Sequence, residues 1–270
     1  AGSTVRRSAG IDFPGTDADT YAYLGDVRAD APPAPGWGVQ NEKGALIVAP
    51  VPGGLLRFTG YDPEDRGSGR RELTLDELRE ITGRIGGADF GLRDPAWLSR
   101  FGNATRVAAQ YRKGRVLLAG DAAHMHFPAG GVGLNLGLQD AMNLGWKLAD
   151  VIRGRSGDDL LDTYHDERRP WAEDVAEHTL AQTALITATS PTGQALRHLL
   201  GNLIERLPDL SLVLARRLAG LDVRYGRPGE LTGSRVAETG GALLDGRPAE
   251  LVVDGRPVMV RPDGYVGSLL

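Results

Sequence analysis

Residues 115–153 read RVLLAGDAAHMHFPAGGVGLNLGLQDAMNLGWKLADVIR, and this stretch decides the fold. Val116 to Ala119 form a short apolar run that ends at Gly120, which predicts a buried strand of a layered α/β sheet. The glycines of Gly130 to Gly133 predict a turn that lets backbone amides approach a ligand closely. From Leu134 onward the pattern predicts a helix.

The expected helix carries an apolar stripe at helical spacing, and we expect this stripe to pack on the sheet. The helix would begin at the glycine turn, where unpaired amides and the positive end of the helix dipole favour an anionic or electron-rich ligand group. Asp121 places a carboxylate where the strand ends. The stripe consists of Leu134, Leu138, Ala141, Leu148 and Ile152.

Composition limits the classes of protein that the chain can belong to. The 270 residues, 41% of them apolar, are enough for one large domain or two smaller ones. A formal charge of −4 with scattered Lys and Arg argues against a nucleic-acid partner. The absence of cysteine excludes disulfides and thiolate metal sites and fits a cytoplasmic protein. No apolar run reaches about 18 residues, so no membrane partner is expected.

Residues 1–112 carry the signals of an antiparallel sheet with a covering helix. Tyr21 to Val27 is strand-like, and two apolar runs, Ala45 to Pro50 and Leu55 to Tyr61, are separated by Pro and Gly as in a β-hairpin. Trp97 to Gln110 resembles a further strand pair.

The covering helix is expected to begin at a capping box formed by Thr74 and Glu77. Beyond Gly154 the chain is mostly helical up to residue 225. Residues 226–270 are richer in Gly and Pro and predict a small β-rich tail.

Residues Gly120 to Ala149, GDAAHMHFPAGGVGLNLGLQDAMNLGWKLA, resemble the flavin-binding segment of FAD-dependent aromatic monooxygenases of the para-hydroxybenzoate hydroxylase type. The resemblance is strongest to the branch that hydroxylates polyketides and rifampicin, enzymes of antibiotic biosynthesis and modification. It extends over most of the chain, because it also covers Gly10 to Val27, Ala49 to Gly54, Glu167 to Pro170 and Val260 to Val266.

The resemblance implies an α/β (α+β) fold in four segments. Residues 1–112 would form the substrate-binding antiparallel sheet with its covering helix, and residues 113–165 the C-terminal part of a Rossmann-like FAD-binding domain. Residues 166–225 would form a helical layer, and residues 226–270 a truncated, β-rich C-terminal domain.

The resemblance also implies cofactor contacts. Asp121 would accept hydrogen bonds from the ribityl hydroxyls of FAD, and the glycine turn would lie along the isoalloxazine. The first amides of the helix would lie near the flavin pyrimidine edge, where the helix dipole stabilises negative charge. The implied contacts are Asp121, Pro128, Gly130, Gly131, Gly133, Leu134 and Asn135.

The reaction that the resemblance implies is a hydroxylation. NADPH or NADH would reduce the flavin, O₂ would add to it, and the flavin hydroperoxide would transfer one oxygen atom to an aromatic or polyketide-like substrate. The protein would orient the substrate and exclude water, so no side chain is assigned a catalytic role. The aromatic candidates for substrate contact are Trp37, Phe58, Trp97 and Phe101.

The sequence departs from the family pattern in three respects. Val132 and Phe127 stand where many relatives have glutamine and proline, and no GxGxxG occurs in the chain. We therefore expect an N-terminally truncated fragment that purifies colourless and binds FAD weakly. An apolar patch around Val116 to Ala119 and the Leu134 stripe would then be covered by a missing segment or a partner chain. The alternative is a flavin-free truncated homologue that serves as a small-molecule binding module or pseudoenzyme.

Two pairs of titratable residues could suggest a functional site, but a structural role is the better interpretation of each. His124 and His126 lack metal-site spacing and imply no third ligand, so we expect packing or hydrogen-bonding roles and no metal. Arg168 and Arg169 are expected to be solvated or paired with the two acidic residues that precede them.

Overall fold

A computed structural model describes residues 2–65, 71–227, 229–237, 239, 241–243 and 246–270. The helices are α1 (Thr4–Ser8), α2 (Leu75–Gly86), α3 (Gly133–Ile152), α4 (Asp162–Ile186), α5 (Pro191–Arg206) and α6 (Pro208–Leu218). The strands are β1 (Gly15–Thr16), β2 (Tyr21–Ala29), β3 (Gly38–Asn41), β4 (Gly44–Val51), β5 (Leu55–Tyr61), β6 (Leu92–Gly102), β7 (Thr105–Val107), β8 (Arg112–Lys113), β9 (Val116–Leu117), β10 (His124–Met125), β11 (Ala249–Val253), β12 (Arg256–Val260) and β13 (Val266–Leu269).

The chain divides into two compact units. The helical unit comprises Ala1–Pro14, Arg106–Glu177 and Asp209–Leu270, and the sheet unit comprises Gly15–Thr105 and His178–Pro208. These boundaries differ from the four consecutive segments that the sequence predicts, because tertiary contacts group the first residues of the chain with residues far along it. Within the described ranges, no helix has both the length and the apolar character that a bilayer span needs.

The sheet unit is built on a five-stranded antiparallel sheet in the order β3-β4-β5-β2-β6. The predicted hairpin is confirmed as β4 and β5, and the predicted capping box of Thr74 and Glu77 begins α2. Helix α2 covers one face of the sheet, where Leu78 and Ile85 are buried with Tyr23 and Phe58. This apolar layer lies on the face of the sheet that α2 covers.

The range Trp97 to Gln110 contains two strands, as predicted, but they do not pair with each other. Strand β6 begins earlier, at Leu92, and pairs with β2, whereas β7 pairs with β10. Asn103 gives the reason, because its Oδ1 accepts hydrogen bonds of 3.1 Å from the backbone amides of Asp19 and Thr20. The chain is thus tied to the start of β2 and leaves the sheet instead of turning into a hairpin.

The helical unit encloses its own apolar core. Leu118, Leu136 and Leu144 are buried there with Tyr164 and Ala172, side chains supplied by the central stretch, α3 and α4. Strands β11, β12 and β13 form a separate antiparallel sheet with a small valine cluster, so the predicted β-rich tail is confirmed.

The predicted buried strand over Val116 to Ala119 is only partly present. Strand β9 covers Val116–Leu117 and pairs antiparallel with β8, and the described residues give it no parallel neighbour. Leu118 enters the core as extended chain and donates its amide to the Tyr111 carbonyl. Strand β9 is paired with β8 alone in a two-stranded sheet, so the layered sheet predicted here is not formed by the described residues.

Helix α3 buries the face opposite to the predicted stripe. Leu134, Leu138 and Ile152 are 76%, 56% and 80% exposed. These three residues of the stripe therefore form an exposed apolar patch, whereas Leu148 packs against the core of the helical unit. The inner face is largely polar and its residues find buried charged partners, which apolar periodicity does not reveal. Its buried residues are Leu136, Asp140, Asn143, Leu144 and Lys147.

Candidate functional site

The glycine turn and the start of α3 border a cavity of about 270 Å³ in the helical unit. Five of the seven predicted cofactor contacts line it. Gly130 lies within the short helical turn Ala129–Gly131, and Asn135 borders two neighbouring cavities instead. The lining residues are Asp121, His124, Met125, His126, Pro128, Gly131, Gly133 and Leu134.

The glycine turn exposes backbone to this cavity. Gly130 and Gly131 have φ of 72° and 67°, a left-handed conformation that strains residues with a Cβ. A methyl group on Gly131 would meet no atom within 4 Å, so the space beside this backbone is open. Helix α3 begins at Gly133, and among the described residues no side chain caps its N-terminus. The first amides and the positive dipole end remain available to an electron-rich group.

His126 places an imidazole at the N-terminus of α3. Its Nδ1 donates to the Phe127 carbonyl at 2.9 Å, and a methyl group on Gly133 would lie 3.5 Å from its Cε1 and Nε2. Burial lowers the pKa of His126 below its ordinary value, so the ring is neutral at neutral pH and Nε2 is a hydrogen-bond acceptor. Sequence reasoning assigned His126 no cofactor role, although its side chain lines the same cavity as Asp121.

Behind the cavity, the buried carboxylate of Asp140 holds both ends of the turn that carries Asp121. Its Oδ2 accepts the Gly120 amide at 3.0 Å and His124 Nε2 at 2.8 Å. Its Oδ1 accepts Nε of Arg168 at 2.9 Å. Both Asp140 and Arg168 are fully buried, so the expectation that Arg168 is solvated or paired with Asp166 or Glu167 is wrong.

The charged groups around Asp140 keep it ionised. Burial by itself raises the pKa of Asp140, but the hydrogen bond from His124 and the charge of Arg168 outweigh burial and hold this pKa below its ordinary value. His124 therefore has a hydrogen-bonding role, as the sequence predicts.

A second buried ionic cluster joins α3, α4 and the C-terminal strands. Glu167 accepts Lys147 Nζ at 2.9 Å and two guanidinium nitrogens of Arg261 at 2.7 and 2.8 Å. Arg261 also donates to Asp263. Sequence reasoning missed both clusters. The available signal was the spacing of Asp140, Asn143 and Lys147 in α3, which puts three polar side chains on one face of the helix.

Two of the four aromatic substrate candidates belong to the apolar core of the sheet unit. Phe58 is fully buried and lies 6.0 Å from Phe90 between ring centroids. Trp37 packs edge-on against the same Phe90 at 5.5 Å. These rings pack on the side of the sheet that α2 covers.

Trp97 and Phe101 lie on the opposite face of the sheet. They are four residues apart on β6 and therefore share one face, where they pair with Asp26 and Ala22 of β2. Trp97 is 52% exposed, and the guanidinium of Arg57 lies 5.5 Å from its ring centroid. Arg57 is fixed by a bidentate pair with Asp26 at 2.8 and 2.9 Å. This face presents an aromatic ring and a held cation together.

Comparisons with known proteins identify the family. A family model described as FAD binding domain matches residues 1–179. An uncharacterized aromatic compound monooxygenase of Bacillus subtilis is 46% identical over 258 residues, which cover 93% of this chain and 51% of that protein. Rifampicin monooxygenase of Streptomyces venezuelae is 40% identical over 271 residues, with 97% and 56% covered. The structure of OxyS anhydrotetracycline hydroxylase from Streptomyces rimosus matches with a TM-score of 0.82 at 36% identity, covering 99% of this chain and 63% of that one.

These matches confirm the predicted α/β fold class and the resemblance to aromatic monooxygenases. The chain spans about half the length of the curated relatives that it matches. Because the family model covers well over half of the residues, the chain belongs to the FAD binding domain family.

Proposed function

We propose that this chain is part of an FAD- and NAD(P)H-dependent monooxygenase that hydroxylates an aromatic, polyketide-like substrate. In this proposal the cavity beside the glycine turn receives the isoalloxazine and ribityl end of FAD. The observation that carries the proposal is the convergence of Asp121, Pro128, Gly131, Gly133 and Leu134 on one cavity at the start of α3. The monooxygenase relatives support the reaction class.

The cavity is suited to part of a dinucleotide. Its volume of about 270 Å³ lies just below the roughly 300–1,000 Å³ of pockets that enclose drug-sized ligands. A flat ring with the start of its polyol chain fits this size. Asp121 is exposed in the cavity wall, where a carboxylate accepts hydrogen bonds from hydroxyl groups. When bound and reduced by NAD(P)H, FAD would supply the O₂ activation and oxygen-atom transfer.

The residues of the chain would bind and orient the reactants. The first amides of α3, at Leu134 and Asn135, lie at the positive end of the helix dipole and would favour negative charge on a ring held there. On the sheet unit, Trp97 and Phe101 would stack on an aromatic substrate, and the guanidinium of Arg57 would attract a phenolate or carboxylate on it.

Flavin titrations test the cofactor assignment. The fluorescence of riboflavin should be quenched on binding, and riboflavin should bind about as tightly as FAD. AMP should not compete with it, because the described contacts are to the flavin end. Asp121→Ala should weaken riboflavin binding by about tenfold, the loss of a charged hydrogen bond, and should leave lumiflavin, which lacks the ribityl chain, unchanged. Glu177→Ala removes an exposed helical carboxylate and is the control.

The outcomes separate the two functions considered. Saturable riboflavin binding that depends on Asp121 supports the flavin site. A folded chain that binds aromatic ligands but neither riboflavin nor FAD contradicts it and favours the flavin-free binding module.

A further inference from the structure

The turn that carries Asp121 is anchored at both ends by one side chain. Gly120 directly precedes Asp121, and His124 follows it three residues later. The amide of the first and the imidazole of the second both donate to Oδ2 of Asp140. One carboxylate oxygen therefore fixes the span between them, and Asp121 lies inside that span.

Close packing lets Asp140 reach this turn. Gly120 has φ of 56° and lies against the first half of α3, where a methyl group on Gly137 would come within 3.3 Å of the Gly120 Cα. Asp140 follows Gly137 by three residues, so it lies on nearly the same face of the helix. The helix that begins at the glycine turn thus also supports the opposite wall of the cavity.

Arg168 fixes the carboxylate from the other side. Its Nε donates to Oδ1 of Asp140 at 2.9 Å, and its NH2 donates to the Leu136 carbonyl at 3.3 Å and to Gln139 at 3.2 Å. Every one of these acceptors lies on α3, so the guanidinium locks the Asp140 rotamer against its own helix. A locked carboxylate fixes the turn more tightly than a mobile one would.

We infer that Asp140 is a positioning residue for the flavin site: its carboxylate, fixed by Arg168, sets the distance between the Asp121 turn and the N-terminus of α3. This inference rests on the proposed flavin site. Asp140 touches no cofactor in this assignment and acts through Gly120 and His124.

The Glu167 cluster provides a matched control. Glu167 is a carboxylate that pairs α3 with α4 as Asp140 does, but its partners are Asn143, Lys147 and Arg261, and none of them belongs to the Asp121 turn. Asp140→Asn and Glu167→Gln therefore both weaken an ionic cluster in the same unit. Only the first releases the turn.

The first measurement needs no flavin. In the intact 270-residue chain, NMR-detected exchange of the Gly120 amide should accelerate at least tenfold in Asp140→Asn beyond the change in global stability, and should not do so in Glu167→Gln. His124→Phe is the milder second variant; it removes only the hydrogen bond from position 124 to Asp140, so it should loosen position 124 and Met125 while the Gly120 amide stays protected. Unchanged Gly120 exchange in Asp140→Asn overturns the inference.

The second measurement is riboflavin affinity. Asp140→Asn should raise the dissociation constant about tenfold, Glu167→Gln less than about twofold, and lumiflavin should be less sensitive than riboflavin because Asp121 is the displaced group. Equal effects of the two variants overturn the positioning role. A wild-type chain that binds no flavin overturns the proposed function and, with it, this role, whereas the Gly120 exchange still reports the anchor, so the two failures are distinguished.

Discussion

The guanidinium Nε of Arg168 lies 2.9 Å from Oδ1 of Asp140, and neither side chain is exposed to solvent. The pair joins α4 to α3, and the second oxygen of the same carboxylate holds Gly120 and His124. A buried charge whose partner is removed is strongly destabilising, since the low-dielectric interior offers no compensation. Fold stability and the geometry of the candidate site therefore depend on one shared contact.

Arg168→Ala should lower the free energy of unfolding by about 3 kcal/mol or more, because Asp140 loses its guanidinium partner. The neighbouring Arg169→Ala is the control. Arg169 is partly exposed and pairs with Glu173 one turn along α4, so its loss should cost about 1 kcal/mol or less. Urea unfolding of both variants measures the difference. Equal losses of unfolding free energy would contradict the stabilising role of the buried Arg168.

Acid should destabilise the helical unit through two carboxylates. Burial by itself raises the pKa of both Asp140 and Glu167. Even so, both pKa values lie below the ordinary values of 3.8 and 4.5, because His124 and Arg168 favour ionised Asp140 and Arg261 favours ionised Glu167. Their stabilisation is complete above those ordinary values and is lost as pH falls through the lower folded-state pKa.

The contribution of these groups to the free energy of unfolding should therefore stay constant between about pH 5 and 7. It should decrease once the pH is lower than about 4.5. Glu167→Gln should flatten part of this fall, whereas Glu177→Gln, at an exposed site, should not. Urea midpoints measured from neutral to acid pH provide the test. An unchanged slope in Glu167→Gln would show that this carboxylate is not linked to folding.

Alanine at two glycines should have opposite effects. Gly131 has φ of 67°, so Gly131→Ala should cost about 1 kcal/mol of stability through backbone strain. Gly145 lies in the exposed part of α3 with no atom within 4 Å of an added methyl group, so Gly145→Ala should gain up to about 1 kcal/mol. Thermal unfolding compares them. A neutral Gly131→Ala would mean that the turn adopts another conformation.

The buried face of α3 can be tested with two leucines. Leu144 is 9% exposed and lies in the core, whereas Leu138 is 56% exposed. Leu144→Ala should cost about 2 kcal/mol or more, and Leu138→Ala about 0.5 kcal/mol or less. Urea unfolding measures both losses. A larger loss in Leu138→Ala would show that the apolar stripe predicted from the sequence is the buried face of α3.

The aromatic candidates on the sheet should separate by role. Trp97→Ala should leave unfolding nearly unchanged, since the ring is 52% exposed, and should weaken binding of a polycyclic phenol in calorimetry by about fivefold or more. Phe58→Ala empties a fully buried site and should cost about 3 kcal/mol or more. Unaltered phenol binding in Trp97→Ala would remove this face from the proposed substrate site.

Features that depend on neighbouring residues were predictable from the sequence. The capping box of Thr74 and Glu77, the hairpin of β4 and β5, and the glycine turn before α3 all arise from backbone preferences acting over a few residues. Five of the eight residues that line the cavity beside Asp121 were also predictable, because Asp121 and Leu134 are only 13 positions apart in one continuous motif.

The sequence by itself determined where turns and helices begin and which backbone could approach a ligand, since φ/ψ preferences and capping are local. Only the tertiary structure decided which face of α3 is buried and which charges hold the site. Apolar spacing indicates a burial face on the assumption that polar groups stay in water. Asp140 and Arg168, 28 residues apart in sequence, violate that assumption because each supplies the partner that makes burial of the other tolerable.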